Sequence, residues 1–445
     1  MEKTLGLKDI EKFQKAFDSD PRNTLAMNAV TRSDIADVSL SREAVTSVVH
    51  TYSHLIKTGT ASAQGATGRC WIFAAMNIFR IYAMEKLNLK DFELSQSYLM
   101  FWDKVEKANY FLENVIKTRK EPLDGRLVMW LLSNIIPDSG QWDMLVNLVN
   151  KYGVVPKTAM PETKSSMASR SMNGRLIEKL REYAKELRDM DDGGASLEEL
   201  RAAKSCMMEE FYRMVCIHLG TPPMKFLWEW RDKDNKFHRR GETTPREFFD
   251  EYIGFDLDSM VCLINAPTED KPYNRTYTVQ YLGNVVGGQP VRYLNVDIET
   301  MKKATKEMIV DGHPVWFGCD SSKMANRELG AYDLDIYDYG TVYNTVFGLD
   351  KAGRLDYGQS RMVHAMVLEG VDIDDEGNPT KWRVENSGGP QPGDKGFYMM
   401  TDAWFDAYMY EVMVDRKYLS EELLKALETE PIVLKPWDPM GALAL

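Results

Sequence analysis

Residues 58–74 of this 445-residue chain read TGTASAQGATGRCWIFA, and the character of the segment changes in its middle. The first part is small, polar and rich in glycine, which is typical of an irregular loop. After Cys70 the apolar residues recur at helical spacing, which predicts a helix with one buried face: Ile72, Met76, Phe79 and Ala83. The sequence therefore places a thiol where a flexible loop meets a buried helix.

A thiol in this position has a chemical consequence. At the start of a helix it lies near the positive end of the dipole and near unpaired N–H groups, which favour the thiolate. A thiolate attacks carbonyls in acyl transfer, but it needs a proton partner and donors for the oxyanion. Gln64, on the loop, is a candidate donor together with the backbone N–H of Cys70. Taken alone, this pair is equally explained by a structural thiol beside a solvated loop residue.

The complete block from Gln64 to Ala74, QGATGRCWIFA, is a more specific signal than Gln64 and Cys70 alone. It resembles the active-site signature of papain-like cysteine peptidases, in the Gly-Arg-Cys-Trp form found in bleomycin hydrolase and aminopeptidase C. Such enzymes also need a His and then an Asn from a β lobe. His364 lies in the strand-like run MVHAMVLEGV, and Asn386 follows in WRVENSGG. A lone histidine in an apolar strand is usually a core residue, but the order Cys, His, Asn makes these two residues candidate catalytic partners of Cys70.

The resemblance implies a role for each of these residues. Cys70 attacks a peptide carbonyl, while His364 first stabilises the thiolate as an imidazolium and then protonates the leaving amine. Water then hydrolyses the thioester with His364 as the base. Asn386 orients the imidazole through its side-chain oxygen, and Gln64 with the N–H of Cys70 stabilises the oxyanion.

One position departs from the family pattern. The family usually has Asn-Ser-Trp-Gly at the Asn site, where the Trp shields the His–Asn hydrogen bond from water. Here Gly388 replaces that Trp. We expect a wetter and weaker His–Asn contact, because a high dielectric reduces the strength of the interaction. Another aromatic residue such as Trp382 is a candidate for the shielding role.

Spacing predicts a large insertion. His364 follows Cys70 by 294 residues, whereas secreted papains separate the two by about 130–150 residues, so about 150 residues are extra. The charged, helix-favouring segment 163–251 is the natural candidate for them. In the resembling family such insertions form helical and hook-like elements that build a hexamer.

We therefore expect an α+β, papain-like two-lobe fold, with a helical lobe, a β-barrel-like lobe and a large helical insertion. The expected divisions are an N-terminal extension (1–60), a helical lobe with Cys70 (61–160), an inserted helical or hook region (161–255), a β lobe with His364 and Asn386 (256–435) and a C-terminal arm (436–445). Apolar periodicity predicts helices over 8–17, 95–116, 142–151 and 420–428, with a polar stretch after the first. β-branched and aromatic runs predict strands at 276–279, 291–296, 315–317, 362–368 and 382–384.

Composition limits the partners. Asp and Glu outnumber Lys and Arg by 67 to 55, for a formal charge of −12, so nucleic acid is an unlikely main partner. The basic clusters 117–120 and 231–240 keep that alternative open, although interspersed acids favour a solvated loop for the second. Five cysteines without CxxC spacing indicate reduced thiols, and the sequence suggests no metal site and no cofactor. With no apolar run long enough for a membrane span or a secretory signal, we expect a cytoplasmic protein without a membrane partner.

The last residues carry a second functional clue. Residues 440–445 read MGALAL, which is unusually apolar for a solvated tail, although a frayed terminus is the usual outcome. In the resembling family this arm lies in the active-site cleft, and its terminal carboxylate receives the free α-ammonium of the substrate. Leu445 supplies that carboxylate, or Ala444 does after removal of Leu445.

The expected activity is that of a cysteine aminopeptidase acting on peptides with a free N-terminus, in a homohexamer. The alternative is a catalytically weakened relative that acts as a binding or scaffold hexamer, because the shielding Trp is missing. Rapid alkylation of Cys70 near neutral pH favours the enzyme over the scaffold.

Overall fold

The computed structural model describes residues 4–442. Its helices are α1 (Leu7–Asp18), α2 (Pro21–Val30), α3 (Ile35–Ser39), α4 (Arg42–Ser47), α5 (Cys70–Leu87), α6 (Gln96–Lys117), α7 (Arg126–Ser133), α8 (Trp142–Tyr152), α9 (Lys164–Met167), α10 (Arg170–Asp192), α11 (Leu197–Leu219), α12 (Pro245–Phe248), α13 (Ile298–Val310), α14 (Tyr339–Tyr343), α15 (Lys351–Asp356), α16 (Asp402–Tyr408) and α17 (Glu421–Leu427). Its strands are β1 (His54–Leu55), β2 (Phe226–Arg231), β3 (Phe237–Thr243), β4 (Met260–Ile264), β5 (Arg275–Val279), β6 (Tyr293–Asn295), β7 (Val315–Cys319), β8 (Ala325–Asn326), β9 (Ala331–Tyr332), β10 (His364–Ile373), β11 (Pro379–Glu385), β12 (Phe397–Thr401), β13 (Met409–Asp415) and β14 (Ile432–Leu434). None of the helices in this part of the chain is long and apolar enough to cross a membrane.

The N-terminal sixty residues contain more helix than the sequence predicted. Helix α1 has the expected position, but the following polar stretch is not a loop. Pro21 begins a second helix, because its fixed φ suits the first helical position and the side chain of Asp20 accepts a hydrogen bond from the N–H of Arg22. The two short helices α3 and α4 follow before β1.

Helix α5 is buried more completely than its periodicity indicated. The four residues predicted to share a buried face are all buried, and the burial extends to every residue from Cys70 to Arg80. The helix contacts α6 and α8 of the helical part and also β7 and β10 of the sheet. A helix packed between a helical layer and a sheet has no face left for water, which explains the continuous apolar composition after Cys70.

Residues 161–255 contain two long helices, α10 and α11, and then an antiparallel hairpin of β2 and β3. The break between the helices falls after Asp192, and Ser196 caps α11. The hairpin was missed because the segment is dominated by charged residues. Three of its basic side chains are paired with acids: His238 with Asp232, Arg239 with Glu229 and Arg240 with Glu251. These pairs partly neutralise the basic cluster 231–240.

The second half of the chain forms one mixed sheet of 12 strands, in the order β14-β5-β6-β4-β13-β7-β10-β11-β12-β9-β8, with β1 beside the far end of β10. All five predicted strands are present. Successive side chains of a strand point to opposite faces of the sheet. In β10, Ala365 and Val367 accordingly pack in the core that contains α5, whereas Met366 and Leu368 pack in a second core under α13 and α16. The architecture is α+β, as expected, and β10 joins its two cores.

Candidate active site

Cys70 is the first residue of α5 and is fully buried. The backbone N–H of Ala365, in β10, donates a hydrogen bond to its Sγ at 3.4 Å. Within residues 4–442 the N–H of Cys70 itself has no hydrogen-bond acceptor, as expected at the first turn of a helix. The thiol therefore lies where the helix dipole and free donors stabilise a negative charge.

The sheet brings His364 and Asn386 to this thiol. His364 is the first residue of β10, and Asn386 directly follows β11, which is the neighbour of β10 in the sheet. Nε2 of His364 lies 2.9 Å from Oδ1 of Asn386. Burial lowers the pKa of His364, but the negative charge of Cys70 and hydrogen bonds with Cys70 and Asn386 outweigh it, so the pKa lies above its ordinary value. The surroundings of His364 thus favour the protonated ring more than those of a free histidine do.

The structure places Gln64 against the segment that follows Asn386. The N–H of Gln64 donates to the carbonyl of Ser387 at 2.9 Å, and the hydroxyl of Ser387 donates to Oε1 of Gln64 at 2.6 Å. Nε2 of Gln64 donates to the carbonyl of Thr67 at 2.6 Å. The orientation of the amide is therefore fixed, with one N–H used by its own loop and the other available for an oxyanion.

Two further contacts shape the loop before Cys70. The buried Arg69 guanidinium pairs with Glu162 at 3.1 Å and lies 5.0 Å from the ring centre of Phe73. Gly65 has a φ of +67°, and a Cβ there would come within 2.4 Å of the carbonyl of Met167. Only glycine combines that backbone conformation with so close an approach, so this residue is required by the path of the loop.

A buried ionic network under this loop was missed by sequence reasoning. Asp138 accepts hydrogen bonds from the N–H of Gly68 at 3.3 Å and from Ser169 at 2.5 Å, and it forms an ion pair of 2.7 Å with Lys104. Its backbone carbonyl accepts a hydrogen bond from the indole of Trp71 at 2.7 Å. The carboxylate thus connects the loop before Cys70 to α6 and α10.

The charge of Asp138 is strongly favoured. Burial alone would raise its pKa, but the adjacent Lys104 ammonium and hydrogen bonds from Ser169 and Asn173 hold the pKa well below its ordinary value. On the same face of α6, Lys107 pairs with Asp103 and donates to the carbonyls of 137 and 139. A sequence signal existed, because charged residues repeat inside a helix that is otherwise apolar.

The position of Gly388 is open. A Cβ there would meet nothing closer than Pro392 Cγ at 3.9 Å and Arg327 Nη2 at 4.0 Å. Trp382 does not supply the missing shield, because its indole stacks on Phe405 and donates to Asp402 in the second core. The His364–Asn386 contact nevertheless forms at normal hydrogen-bond length.

A cleft of about 530 Å³ lies between the helical part and the sheet part of the molecule. One wall is formed by Gly140, which touches the ring of Trp71, and by aromatic residues of α6 and α7. The opposite wall includes Ser360 and Arg361, which shortly precede His364. Residues 436–439, 441 and 442 line the same cleft, whereas Cys70 and His364 lie outside its lining.

Specific contacts hold this segment. Asp438 pairs with the buried Lys271 at 3.1 Å, and the hydroxyl of Tyr293 donates to the carbonyl of Met440 at 3.0 Å. The guanidinium of Arg126 lies 3.8 Å from the ring centre of Trp437. The two predicted anchors of the substrate amine, Ala444 and Leu445, lie outside the described residues.

Comparison with known proteins shows the family of this chain. Residues 4–441 match the model of the Peptidase C1-like family. Human bleomycin hydrolase is 47% identical over 437 residues, which are 96% of each protein. Aminopeptidase C from Listeria monocytogenes is 44% identical over 445 residues, covering 100% of both. The crystal structure of PepW from Lactobacillus rhamnosis matches with a TM-score of 0.98 and 46% identity, over 99% of this chain and 100% of that one.

Fold and site together define a papain-like cysteine peptidase. The chain belongs to the Peptidase C1-like family, where its relatives are bleomycin hydrolases and aminopeptidases C. It is accordingly a cysteine aminopeptidase.

Proposed function

We propose that the enzyme removes N-terminal residues from peptides through a thioester on Cys70. The thiolate attacks the carbonyl carbon, the C–N bond breaks, and His364 gives its proton to the leaving amine. Water then attacks the thioester and transfers a proton to His364, which regenerates the thiolate. The observation that carries this mechanism is the group of Cys70, His364 and Asn386, with a 2.9 Å His–Asn contact and a raised pKa for His364.

Replacement of the nucleophile tests the proposal. Cys70→Ala should abolish peptide hydrolysis and leave the circular dichroism spectrum unchanged. Cys319→Ala is a matched control, because Cys319 is also fully buried and lies directly opposite His364 on β7. The control should keep its activity, since burial raises the pKa of the Cys319 thiol. Turnover by the Cys70 variant would disprove the assignment.

Gln64 is proposed as the side-chain donor to the oxyanion, together with the N–H of Cys70. Its amide is already oriented by Ser387 and Thr67, so no reorganisation is needed during the reaction. Gln64→Ala should lower kcat by on the order of 10²–10³. An unchanged kcat would assign the oxyanion to other donors.

The C-terminal arm is proposed to limit the enzyme to exopeptidase action. Residues 436–442 fill part of the cleft, and their anchors are side chains of both parts of the molecule. A carboxylate at Ala444 or Leu445 would attract the substrate α-ammonium. Deletion of 440–445 should allow cleavage of N-acetylated peptides, measured by mass spectrometry beside peptides with a free amine. A truncated enzyme that still only trims free N-termini would contradict this role.

We further propose a cytoplasmic homohexamer. All five cysteines are free, as a reducing compartment leaves them. Helix α1 supports assembly, because its apolar residues are exposed in the single chain: Leu7, Ile10, Phe13 and Phe17. Sedimentation of the purified protein and of Ile10→Asp tests this, with the hexamer expected only for the unmodified chain. A scaffold without catalysis is the alternative, and slow alkylation of Cys70 in the intact hexamer would favour it.

A further inference from the structure

A buried ion pair joins α5 to the strand that precedes Asn386. Nη2 of Arg80 donates to Oε1 of Glu385 at 2.6 Å, and the two side chains are 2% and 0% exposed. Nη1 of the same guanidinium donates to the carbonyl of Thr60 at 2.6 Å. Arg80 therefore connects the helix of Cys70 with both the loop that leads to Gln64 and the end of β11.

Glu385 is the last residue of β11 that the sheet holds on both sides. It pairs with Val367 of β10 and with Phe397 of β12. The next backbone N–H, that of Asn386, has only a long contact of 3.4 Å to the carbonyl of Gly396. The Arg80–Glu385 pair thus fixes the strand at the point where Asn386 leaves the sheet.

A second carboxylate completes the network. Glu369 is fully buried and pairs with Arg383 at 3.0 Å. Among residues 4–442, Oε1 of Glu369 and Oε2 of Glu385 have no other hydrogen-bond partner. Burial and the adjacent Glu385 raise the pKa of Glu369. Two arginine–glutamate pairs therefore lie side by side in the core.

From the proposed thiol mechanism and these contacts, we propose that Arg80 and Glu385 are positioning residues for catalysis. They set the position of Asn386, and through it the imidazole of His364, relative to the thiol of Cys70. The same guanidinium fixes the entry to the Gln64 loop. A purely structural role explains the network less well, because a buried ion pair adds little net stability compared with apolar packing of the same volume.

Arg80→Lys is the main test. Lysine keeps the positive charge, but its single nitrogen cannot bond Glu385 and Thr60 in the two directions that the guanidinium uses. We expect kcat to fall by on the order of tenfold with KM unchanged, because small misplacement of reacting groups is costly. Glu385→Gln should act in the same direction, since it removes the charge that holds Arg80.

Two matched variants separate positioning from stability. Asp402→Asn also changes an ion-paired carboxylate of the sheet lobe into an amide, here a partly buried one, and its partner Lys302 lies on α13, away from Cys70. It should lower the thermal midpoint and leave kcat unchanged. Glu369→Gln changes a buried carboxyl group that pairs with Arg383 and not with Arg80, so its kcat should stay within about twofold of the parent enzyme.

The deciding readout is the rate at which iodoacetamide alkylates Cys70 as a function of pH, which does not require turnover. Arg80→Lys and Glu385→Gln should shift this profile, whereas Asp402→Asn should not. Variants with lowered stability but unchanged kcat and alkylation profile would overturn the proposal. If Arg80→Lys does not fold, the kcat and the alkylation profile of Glu385→Gln test the proposal instead. If the parent enzyme cleaves no peptide but the variants shift the alkylation profile of Cys70, the proposed function is rejected and the positioning role is kept.

Discussion

Ser387 follows Asn386, and its hydroxyl orients the side-chain amide of Gln64 by donating to Oε1, while its carbonyl accepts a hydrogen bond from the backbone N–H of Gln64. Ser387→Ala removes the hydroxyl and frees the amide to rotate, so kcat should fall by roughly tenfold with little change in KM. The effect should vanish in a Gln64→Ala background, because the donor is then already absent. Steady-state kinetics of the two single variants and the double variant measure this coupling. Additive losses would show that Ser387 acts independently of Gln64.

The charge of Cys70 controls the titration of His364. The raised pKa of His364 depends on this negative charge, which works against the burial of the ring. Cys70→Ser removes the negative charge and keeps the burial, so the pKa of His364 should fall relative to that of the parent enzyme. Carbon-13 NMR of labelled histidine rings, assigned with a His364→Ala variant, measures the change. An unchanged pKa in Cys70→Ser would mean that no thiolate–imidazolium pair exists.

At the scale of elements, Asp138 holds together α6, α10 and the loop before Cys70. Asp138→Asn leaves Lys104 buried without its counter-charge, and we expect a loss of roughly 3 kcal/mol at pH 7. The pKa of Asp138 is depressed in the folded chain, so its charge stabilises the fold above the unfolded pKa of about 3.9. That contribution is lost as the pH falls through the folded pKa. Urea unfolding should show a constant difference above about pH 5 and a shrinking one below pH 4. A difference that does not depend on pH would exclude this charge as the cause.

At the scale of the whole molecule, the arm is anchored in the cleft by the pair of Lys271 and Asp438. Asp438→Asn should loosen the arm and give cleavage of N-acetylated peptides without any truncation. Asp270→Asn is the matched control, because Asp270 pairs with the same lysine at 3.0 Å but lies outside the arm. The control should remain restricted to free N-termini. If the two variants cleave the same peptides, the ion pair between Lys271 and Asp438 does not control docking of the arm.

The catalytic group could be predicted from local sequence because each member has a local context. A thiol after a glycine-rich loop, a histidine in an apolar strand and an asparagine at a strand end are visible without coordinates. Five strands of the second half were also predicted correctly, since β-branched and aromatic runs bounded by turn residues mark them, whereas β4, β12 and β13 were not predicted. The hairpin at β2 and β3 was missed because its charged composition hides the strand pattern.

The supporting network could not be predicted, because its members are distant in sequence. Arg80 and Glu385 are 305 positions apart, and Arg69 and Glu162 are 93 apart. In the sequence Arg80 is only a charge that interrupts an apolar run, and the partner of a buried charge is chosen by packing.

The sequence by itself determined the fold class, the family that the chain resembles and the candidates for the catalytic residues, because these properties depend on residue type and short-range periodicity. Only the tertiary structure decided which buried charges pair, how the Gln64 amide is oriented and that residues 436–442 enter the cleft. The physical reason is that a buried charge or amide must find its partner within about 3 Å. That distance is set by how α5 packs against the sheet, and no local pattern encodes it.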